Sequence, residues 1–177
     1  EAHREGVRFM STQCRSTVDA PVDAVITTSA GYPLDLTFYQ AVKGMTAAQS
    51  IVKSGGVIII AARIAEGVGS PEFTKLMLET DTVEEFLARI EDPENLVLDQ
   101  WQFQKFCQVL EDREVWLYSE GLDHETQKRL FVSPLDSVAE GVRKVLDRFG
   151  PDARIAVIPE GPYVYAGIER PWGRCGI

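Results

Sequence analysis

The segment AVITTSAGYPLDLTFYQAVKG, residues 24–44, contains the change of pattern that decides the fold. Its first five residues, 24–28, are apolar or β-branched and predict a buried strand. The six residues after them include Gly31 and Pro33 and predict a loop. A helix follows, for which Asp35 is the predicted N-cap. A strand, a loop and a helix in this order form the repeating unit of a parallel sheet.

The predicted helix extends to about Lys53. Its apolar residues recur every three or four positions, as one buried helical face requires. These residues are Phe38, Val42, Met45, Ala48 and Val52. The segment Ser54-Gly55-Gly56 is predicted to end the helix, because glycine is the usual residue after a helix C-terminus.

Strand-forming runs and helical periods alternate along the rest of the chain. The predicted strands are residues 57–62, 114–118 and 154–158, and the predicted helices are residues 71–78, 83–90, 101–110, 125–130 and 135–149. This alternation is typical of a mostly parallel sheet with helices on both faces. The predicted fold class is therefore α/β, a three-layer domain with a mostly parallel sheet flanked by helices.

The composition limits the classes of protein to which the chain can belong. Its 177 residues, 45% of them hydrophobic, suit one compact domain rather than two. The formal net charge of −9 argues against a nucleic-acid partner, because a phosphate backbone would be repelled. The longest apolar run, residues 57–62, is far shorter than the roughly 20 residues of a transmembrane helix. No secretory signal opens the chain, so a cytoplasmic protein without a membrane partner is expected.

The cysteines and histidines predict neither a disulfide framework nor a metal site. Cys14, Cys107 and Cys175 are odd in number and widely spaced, so reduced cytosolic thiols are expected. The two histidines, His3 and His124, are too few for a metal site made wholly within this chain. His124 is expected to be a solvated residue at the start of a helix rather than a catalytic base.

Ligands of folds in this class bind outside the carboxyl ends of the strands. The loops at those ends are residues 29–35, 63–71, 119–124 and 159–165. The glycines of Gly55-Gly56 and of Gly67-Val68-Gly69 match neither the dinucleotide-binding nor the Walker pattern, so they give little support for a phosphate loop. The segment quoted above supplies the first of the four loops and the helix that follows it.

Gln40 and Lys43 are the candidate binding residues of that helix. They are three positions apart, so their side chains are neighbours. Both lie in its first two turns, where a helix N-terminus together with an ammonium group suits a carboxylate or a phosphate. The same spacing fits a solvated surface lysine with a polar neighbour. Tyr32 and Tyr39 suit either a binding site or packing with an exposed hydroxyl group. Trp101 can close over a ligand from its helix start, although the usual burial of tryptophan favours the core.

Six motifs occur together in this chain: AHREG (2–6), SAGYPLDLTFYQAVKGMTAA (29–48), KSGGVIIIAA (53–62), LDQWQFQKF (98–106), YSEGLDHE (118–125) and VIPEGPY (157–163). Together they closely resemble the C-terminal domain of the nickel-pincer lactate racemase family. The resemblance covers roughly residues 1–165, and its YQAVKG motif, residues 39–44, is long and specific.

The resemblance implies a two-domain enzyme whose active site lies between the domains. The cofactor of the family is a nickel pyridinium-3,5-bisthiocarboxylate mononucleotide tethered to a lysine. It accepts a hydride from C2 of a 2-hydroxy acid, with lactate as the first expectation, while a histidine removes the hydroxyl proton. The tethering lysine, the nickel ligand and the histidine bases belong to an N-terminal domain that is absent here. We therefore expect this chain alone to hold no cofactor and no metal, and to be inactive.

The resemblance also assigns roles to residues of this chain. Gln40 and Lys43 correspond to the catalytic residues of the YQ-x-x-K motif, which reach the substrate. Tyr39 corresponds to the tyrosine before that glutamine, and Trp101 to an aromatic residue near the cofactor pocket. We place Tyr32 with them as a further pocket residue. The expected partners are the protein's own N-terminal catalytic domain and a small 2-hydroxy acid.

The implied domain organisation has three parts. Residues 1–20 form an interdomain helix and connector, residues 21–165 form the racemase C-terminal α/β domain, and residues 166–177 form a tail of unknown role. The alternative is a noncatalytic ligand-binding or interaction domain that has retained this fold. An upstream domain with clustered histidines and a lysine would favour the enzyme.

Overall fold

A computed structural model describes residues 1–169 of the chain. The helices are α1 (Ala2–Cys14), α2 (Phe38–Gln49), α3 (Pro71–Leu78), α4 (Val83–Ile90), α5 (Gln100–Leu110), α6 (His124–Arg129) and α7 (Val138–Phe149). The strands are β1 (Arg15–Val18), β2 (Val22–Thr28), β3 (Val52–Ala61), β4 (Glu114–Tyr118), β5 (Ser133–Leu135), β6 (Ile155–Ile158) and β7 (Tyr165–Ile168). Short 3-10 turns occur at Pro93–Asn95 and Gly161–Tyr163.

Five parallel strands form the main sheet in the order β5-β4-β3-β2-β6. Its central strand, β3, is apolar on both sides: Ile58 and Ile60 pack with α2, α3 and α5, whereas Ile59 packs on the other face with Val145 of α7. These three isoleucines are fully buried. The predicted α/β class, with helices on both faces of a mostly parallel sheet, is therefore confirmed.

The start and the end of α2 differ from the prediction. The N-cap is Thr37 rather than Asp35, because the Thr37 hydroxyl accepts a hydrogen bond from the Gln40 N–H group. The helix ends at Gln49 and not near Lys53. Position 52 fits both the helical period and a strand, and the pairing of β3 with β2 decides between them.

The segment Ser54-Gly55-Gly56 lies inside β3 and does not end a helix. The pairing register of β2 with β3 shifts between Val22 and Ala24, opposite these glycines. A Cβ atom at Gly56 would lie only 2.8 Å from the Asp23 carbonyl oxygen, so the irregular strand requires glycine there.

Three short strands were absent from the predicted pattern. Leu135, which was predicted to start a helix, belongs to β5, and α7 starts after the Ser137 cap. Strands β1 and β7 pair with each other in parallel as a separate two-stranded sheet. Strands of three or four residues are too short to show a period in the sequence.

The predicted connector and the predicted tail both contribute to that small sheet. Within the predicted connector, α1 has no buried residue and leads directly into β1. Within the predicted tail, residues up to Ile168 belong to β7, whereas residues 170–177 lie outside the described part of the chain. In residues 1–169, no helix is long and apolar enough to cross a membrane.

The two cysteines of the described residues are free thiols. Cys14 is partly buried and Cys107 is buried. Burial raises the pKa of the Cys107 thiol to about 12. Cys175 lies outside the described residues.

Candidate active site at the carboxyl edge of the sheet

Two glycines fix the position of α2 at the carboxyl edge of the sheet. A Cβ atom at Gly44 would overlap the carbonyl oxygen of Thr28, the last residue of β2. A Cβ atom at Gly161 would lie 2.6 Å from the same oxygen and 2.8 Å from the Gly44 Cα atom. The glycine of the YQAVKG motif therefore lets the helix pack directly against the strand end. This contact places Lys43, its chain neighbour, at the same edge.

The N-terminus of α2 is closed by other parts of the chain. The N–H groups of Phe38 and Tyr39 donate to the carbonyl oxygens of Gly67 (3.0 Å) and Val68 (2.9 Å). The third N–H group donates to the Thr37 hydroxyl at 3.3 Å. The first N–H groups of the helix therefore already have protein acceptors. The expectation that they would hold an anion is corrected, and any anion at this site must be held by side chains.

Gln40 and Lys43 are neighbours, as their spacing predicts, and the structure shows a hydrogen bond between them. The Lys43 Nζ atom donates to the Gln40 Oε1 atom at 2.6 Å, and both residues are partly buried. In residues 1–169, no carboxylate oxygen lies within 4.0 Å of the Lys43 Nζ atom. Lys105 and Lys128 also have no carboxylate partner among these residues, but both are exposed. Lys43 thus combines partial burial with a neutral partner.

Tyr39 and Trp101 form an aromatic pair beside Gln40. Their rings meet edge to face, with 5.9 Å between the centroids and an interplanar angle of 88°. Phe73 packs against Tyr39 in the same way at 5.1 Å. Trp101 is 51% exposed, so it does not occupy the core position that the usual burial of tryptophan favours. The pair therefore presents aromatic surface to solvent next to the candidate binding residues.

Asp99 and Gln102 support this aromatic pair, and sequence reasoning missed both. The buried Gln102 side chain donates from Nε2 to the Tyr39 carbonyl oxygen at 2.8 Å, which joins α5 to α2. The Ser70 hydroxyl donates to Asp99 Oδ2 at 2.9 Å. Burial, and then the negative charge of Asp99, raise the pKa of Tyr39. Gln102 could have been found, because it is a polar residue on the apolar face of its helix.

Tyr32 does not join the group formed by Gln40, Lys43, Tyr39 and Trp101. Its side chain is 83% exposed in the loop after β2, and no ring contact of Tyr32 occurs within the described part of the chain. The loop itself is fixed by backbone hydrogen bonds, such as those from Leu34 N–H to the Gly31 carbonyl oxygen (2.8 Å) and from Ile64 N–H to the Asp35 carbonyl oxygen (2.7 Å).

An open cavity of about 480 Å³ lies along the same edge of the sheet. Its walls come from the ends of β2, β3 and β4 and from the loop after β6. Gln40 and Lys43 do not line it. Its side chains with polar groups are those of Thr28, Asp35, Arg63, Tyr118, Glu120 and Glu160. With one cation among three acidic residues, this cavity suits an anionic substrate less well than the surface at Lys43.

The described residues contain no group of three or more His, Cys, Asp or Glu side chains that could hold a metal ion. His124 starts α6 after the Asp123 cap, and its side chain is 51% exposed. Its Nε2 atom lies 3.6 Å from an exposed oxygen of Asp136. This position agrees with the prediction of a solvated histidine at a helix start.

Fold and site together define an α/β domain with a candidate anion-binding surface at the carboxyl edge of its sheet. The model of the family described as "Lactate racemase C-terminal domain" matches residues 17–165, and the chain belongs to this family. The chain is 37% identical over 166 residues to the lactate racemase of Thermoanaerobacterium thermosaccharolyticum and 34% identical over 162 residues to that of Lactiplantibacillus plantarum. These matches cover 91% and 90% of the chain but only 38% of each relative.

Two solved structures resemble the fold. The lactate racemase apoprotein from T. thermosaccharolyticum matches with a TM-score of 0.81 and 35% identity, over 93% of this chain and 40% of that chain. A protein from Thermotoga maritima matches with a TM-score of 0.63 over 95% of this chain and 42% of that chain. Its identity is 16%, so it supports the fold alone.

Proposed function

We propose that this chain is the C-terminal half of a lactate-type 2-hydroxy acid racemase or epimerase, and that it positions the substrate in an active site shared with an upstream domain. The family and the carboxyl-edge location of Gln40 and Lys43 support this proposal. The observation that carries it is a partly buried lysine whose partner, 2.6 Å away, is a neutral amide. The chain spans about two-fifths of the length of its curated relatives, and the proposed upstream domain corresponds to the part of those relatives that it does not match.

Lys43 is the proposed partner of the substrate carboxylate. An ammonium group has three N–H donors, and the hydrogen bond to Gln40 uses one of them. The others can bind a carboxylate, and charge-assisted hydrogen bonds of this kind are the stronger class. A bound carboxylate would also provide the opposite charge that the described residues do not place within 4.0 Å of this lysine.

Gln40 is proposed to orient the same substrate. Its Oε1 atom is occupied by Lys43, which fixes the amide plane and leaves the NH₂ group as a donor. An amide donor beside an ammonium group can bind the second carboxylate oxygen or the 2-hydroxyl oxygen of the acid. Two contacts hold the α-carbon in one orientation, and correct orientation is a large part of catalysis.

The aromatic pair of Tyr39 and Trp101 is proposed as one wall of the pocket. Its exposed ring surface would exclude water from the substrate once the upstream domain covers it. The family's nickel-pincer nucleotide supplies the hydride acceptor when it is bound. The described residues offer no cluster of metal ligands, so they do not fit the nickel ion. We therefore assign no step through the cofactor to this chain, and we expect the chain alone to be inactive.

The test is racemisation of lactate by the full-length gene product after cofactor loading. Conversion of one enantiomer into the racemate, followed by chiral chromatography, is the expected result. A full-length protein that binds a 2-hydroxy acid without converting it would instead support the alternative, a noncatalytic ligand-binding domain. The upstream sequence gives an early indication, since clustered histidines and a lysine are expected there.

A further inference from the structure

Three large apolar side chains lie exposed next to the candidate site. Leu96 is 78% exposed, Leu98 is 65% exposed and Trp101 is 51% exposed. We call these three residues the apolar rim. They fall within six consecutive positions, and Trp101 joins them to the Tyr39 ring of the site. Neighbouring exposed apolar residues of this size are characteristic of a surface that binds a partner.

The apolar rim is exposed although its backbone is well anchored. Between the two leucines, Val97 packs against the core, and its N–H group donates to the Gln100 Oε1 atom at 2.7 Å. Asp99 has a left-handed backbone conformation (φ 65°) and accepts the Ser70 hydroxyl. Gln102 holds the next turn to α2. The side chain at position 97 therefore points inward, and those at positions 96 and 98 point outward.

We propose that the apolar rim is a docking surface for the upstream domain of the same polypeptide. The inference rests on the proposed function, because it requires the upstream domain with which the site is shared. The curated relatives are more than twice as long as the part that this chain matches, and the matched part is their C-terminal domain. The rim also continues the candidate site, because the Trp101 ring meets the Tyr39 ring edge to face.

The charge beside the apolar rim indicates the chemistry of the docking surface. Glu91, Asp92 and Glu94 are exposed in the segment that leads into it. In residues 1–169, none of these three carboxylates lies within 4.0 Å of a cationic nitrogen. The complementary surface is therefore an apolar patch bordered by lysine or arginine.

The experiment compares hydrogen exchange of the full-length protein with that of its Leu96→Gln/Leu98→Gln variant. We expect the backbone amides of residues 96–101 to exchange about 10-fold faster in the variant, the factor that corresponds to about 1.4 kcal/mol of lost docking. The melting temperature of the C-terminal domain should stay near that of the wild type, because both leucines are exposed. Leu146→Gln is the matched control, since this partly exposed leucine lies on α7, across the sheet from α5.

Two results would overturn the inference. One is equal exchange in the wild type and the double variant. The other is a concentration-dependent dimer, seen by light scattering, that the double variant abolishes, because the rim would then bind a second copy. Racemisation is measured on the same samples to separate the inference from the proposed function. Racemisation without protection of the rim from hydrogen exchange would refute only the docking. Protection of the rim without racemisation would refute only the proposed reaction.

Discussion

Charged side chains have different kinds of partner at the two edges of the main sheet. At the amino edge, Asp23 forms an ion pair with Lys53 and accepts the Arg154 N–H group at 2.7 Å. Glu114 pairs with Arg148 at 2.7 Å at the same edge. At the carboxyl edge, Lys43 binds only the neutral Gln40 among the described residues. Asp23 and Glu114 thus have cationic partners within the chain, whereas Lys43 has no carboxylate partner among the described residues.

This difference distinguishes the charged residues that stabilise the fold from a charged residue that is available to bind a ligand. Asp23 joins neighbouring strands, because Lys53 lies on β3 and Arg154 directly precedes β6. The Glu114–Arg148 pair instead joins β4 to α7. These contacts contribute to the free energy of folding. A partly buried ammonium group without a carboxylate costs solvation free energy and gains only a neutral hydrogen bond. A ligand carboxylate would recover that cost. Substitutions at the two edges should therefore change different measured quantities.

The largest expected effect is that of Lys43→Ala on catalysis. Loss of a charge-assisted contact costs about 1.5–3 kcal/mol, which lowers kcat/KM about 10- to 150-fold. The free energy of unfolding should change little, because a residue of a binding surface has few packing partners to lose. Steady-state racemisation by the cofactor-loaded full-length protein and a melting curve check both statements.

Two further variants sharpen this prediction. Lys105→Ala removes an exposed lysine without a carboxylate partner among the described residues, and it should leave kcat/KM unchanged. Lys43→Arg keeps the positive charge but changes the shape and reach of the side chain, so it should restore only part of the kcat/KM that Lys43→Ala loses. Near-wild-type activity of Lys43→Ala would make Lys43 an ordinary surface lysine. A joint fall of activity and melting temperature would make it structural.

Gly44→Ala should destabilise the fold through the close contact of α2 with β2. The added methyl group meets the Thr28 carbonyl oxygen, and overpacking of this kind costs about 1–3 kcal/mol. The gain in helix propensity offsets about 1 kcal/mol of that cost. Urea unfolding measures the net loss. Gly6→Ala is the control, because nothing lies within 4 Å of its added methyl group and stability should not fall.

Gln40→Ala should lower activity less than Lys43→Ala does. It removes a neutral hydrogen bond, worth about 0.5–1.5 kcal/mol, so kcat/KM should fall about 2- to 10-fold. The comparison uses the same racemisation assay. A greater loss for Gln40→Ala than for Lys43→Ala would mean that the amide, and not the ammonium group, holds the substrate.

Asp23→Asn should change stability at the amino edge without affecting activity. The hydrogen bond from Lys53, and then that from the Arg154 N–H group, lower the pKa of Asp23 below its ordinary value of 3.8. Because the folded pKa is lowered, the carboxylate stabilises the fold above pH 3.8, and this contribution is lost as the pH falls through the folded pKa. Because Lys53 is partly exposed, the ion pair is expected to contribute about 0.2–1 kcal/mol to the free energy of unfolding.

The measurement for this variant is urea unfolding at neutral pH and at about pH 3. The difference in the free energy of unfolding between the wild type and Asp23→Asn should be greatest at neutral pH and smaller in acid. A difference that does not depend on pH would show that the carboxylate charge contributes nothing. A loss of racemisation at neutral pH would contradict the separation of the two edges.

Local patterns in the sequence were sufficient to predict the elements whose period is long enough to recognise. Helices α3 and α4 and strand β4 have the predicted bounds, because local apolar spacing shows which side of each element is buried. The contact of Gln40 with Lys43 followed from their spacing on one helix. Neither result depends on residues distant in the chain.

How those elements pack against one another became known only from the folded structure. Periodicity shows that a face is buried but not what covers it, so β1 could not be matched with β7. The donors at the start of α2 are occupied by carbonyl groups of a loop that follows the next strand. Gln102 reaches the Tyr39 carbonyl oxygen across 63 positions of the chain, and Trp101 stays exposed beside it. Such contacts join residues whose proximity exists only after the chain has folded, and no local pattern encodes it.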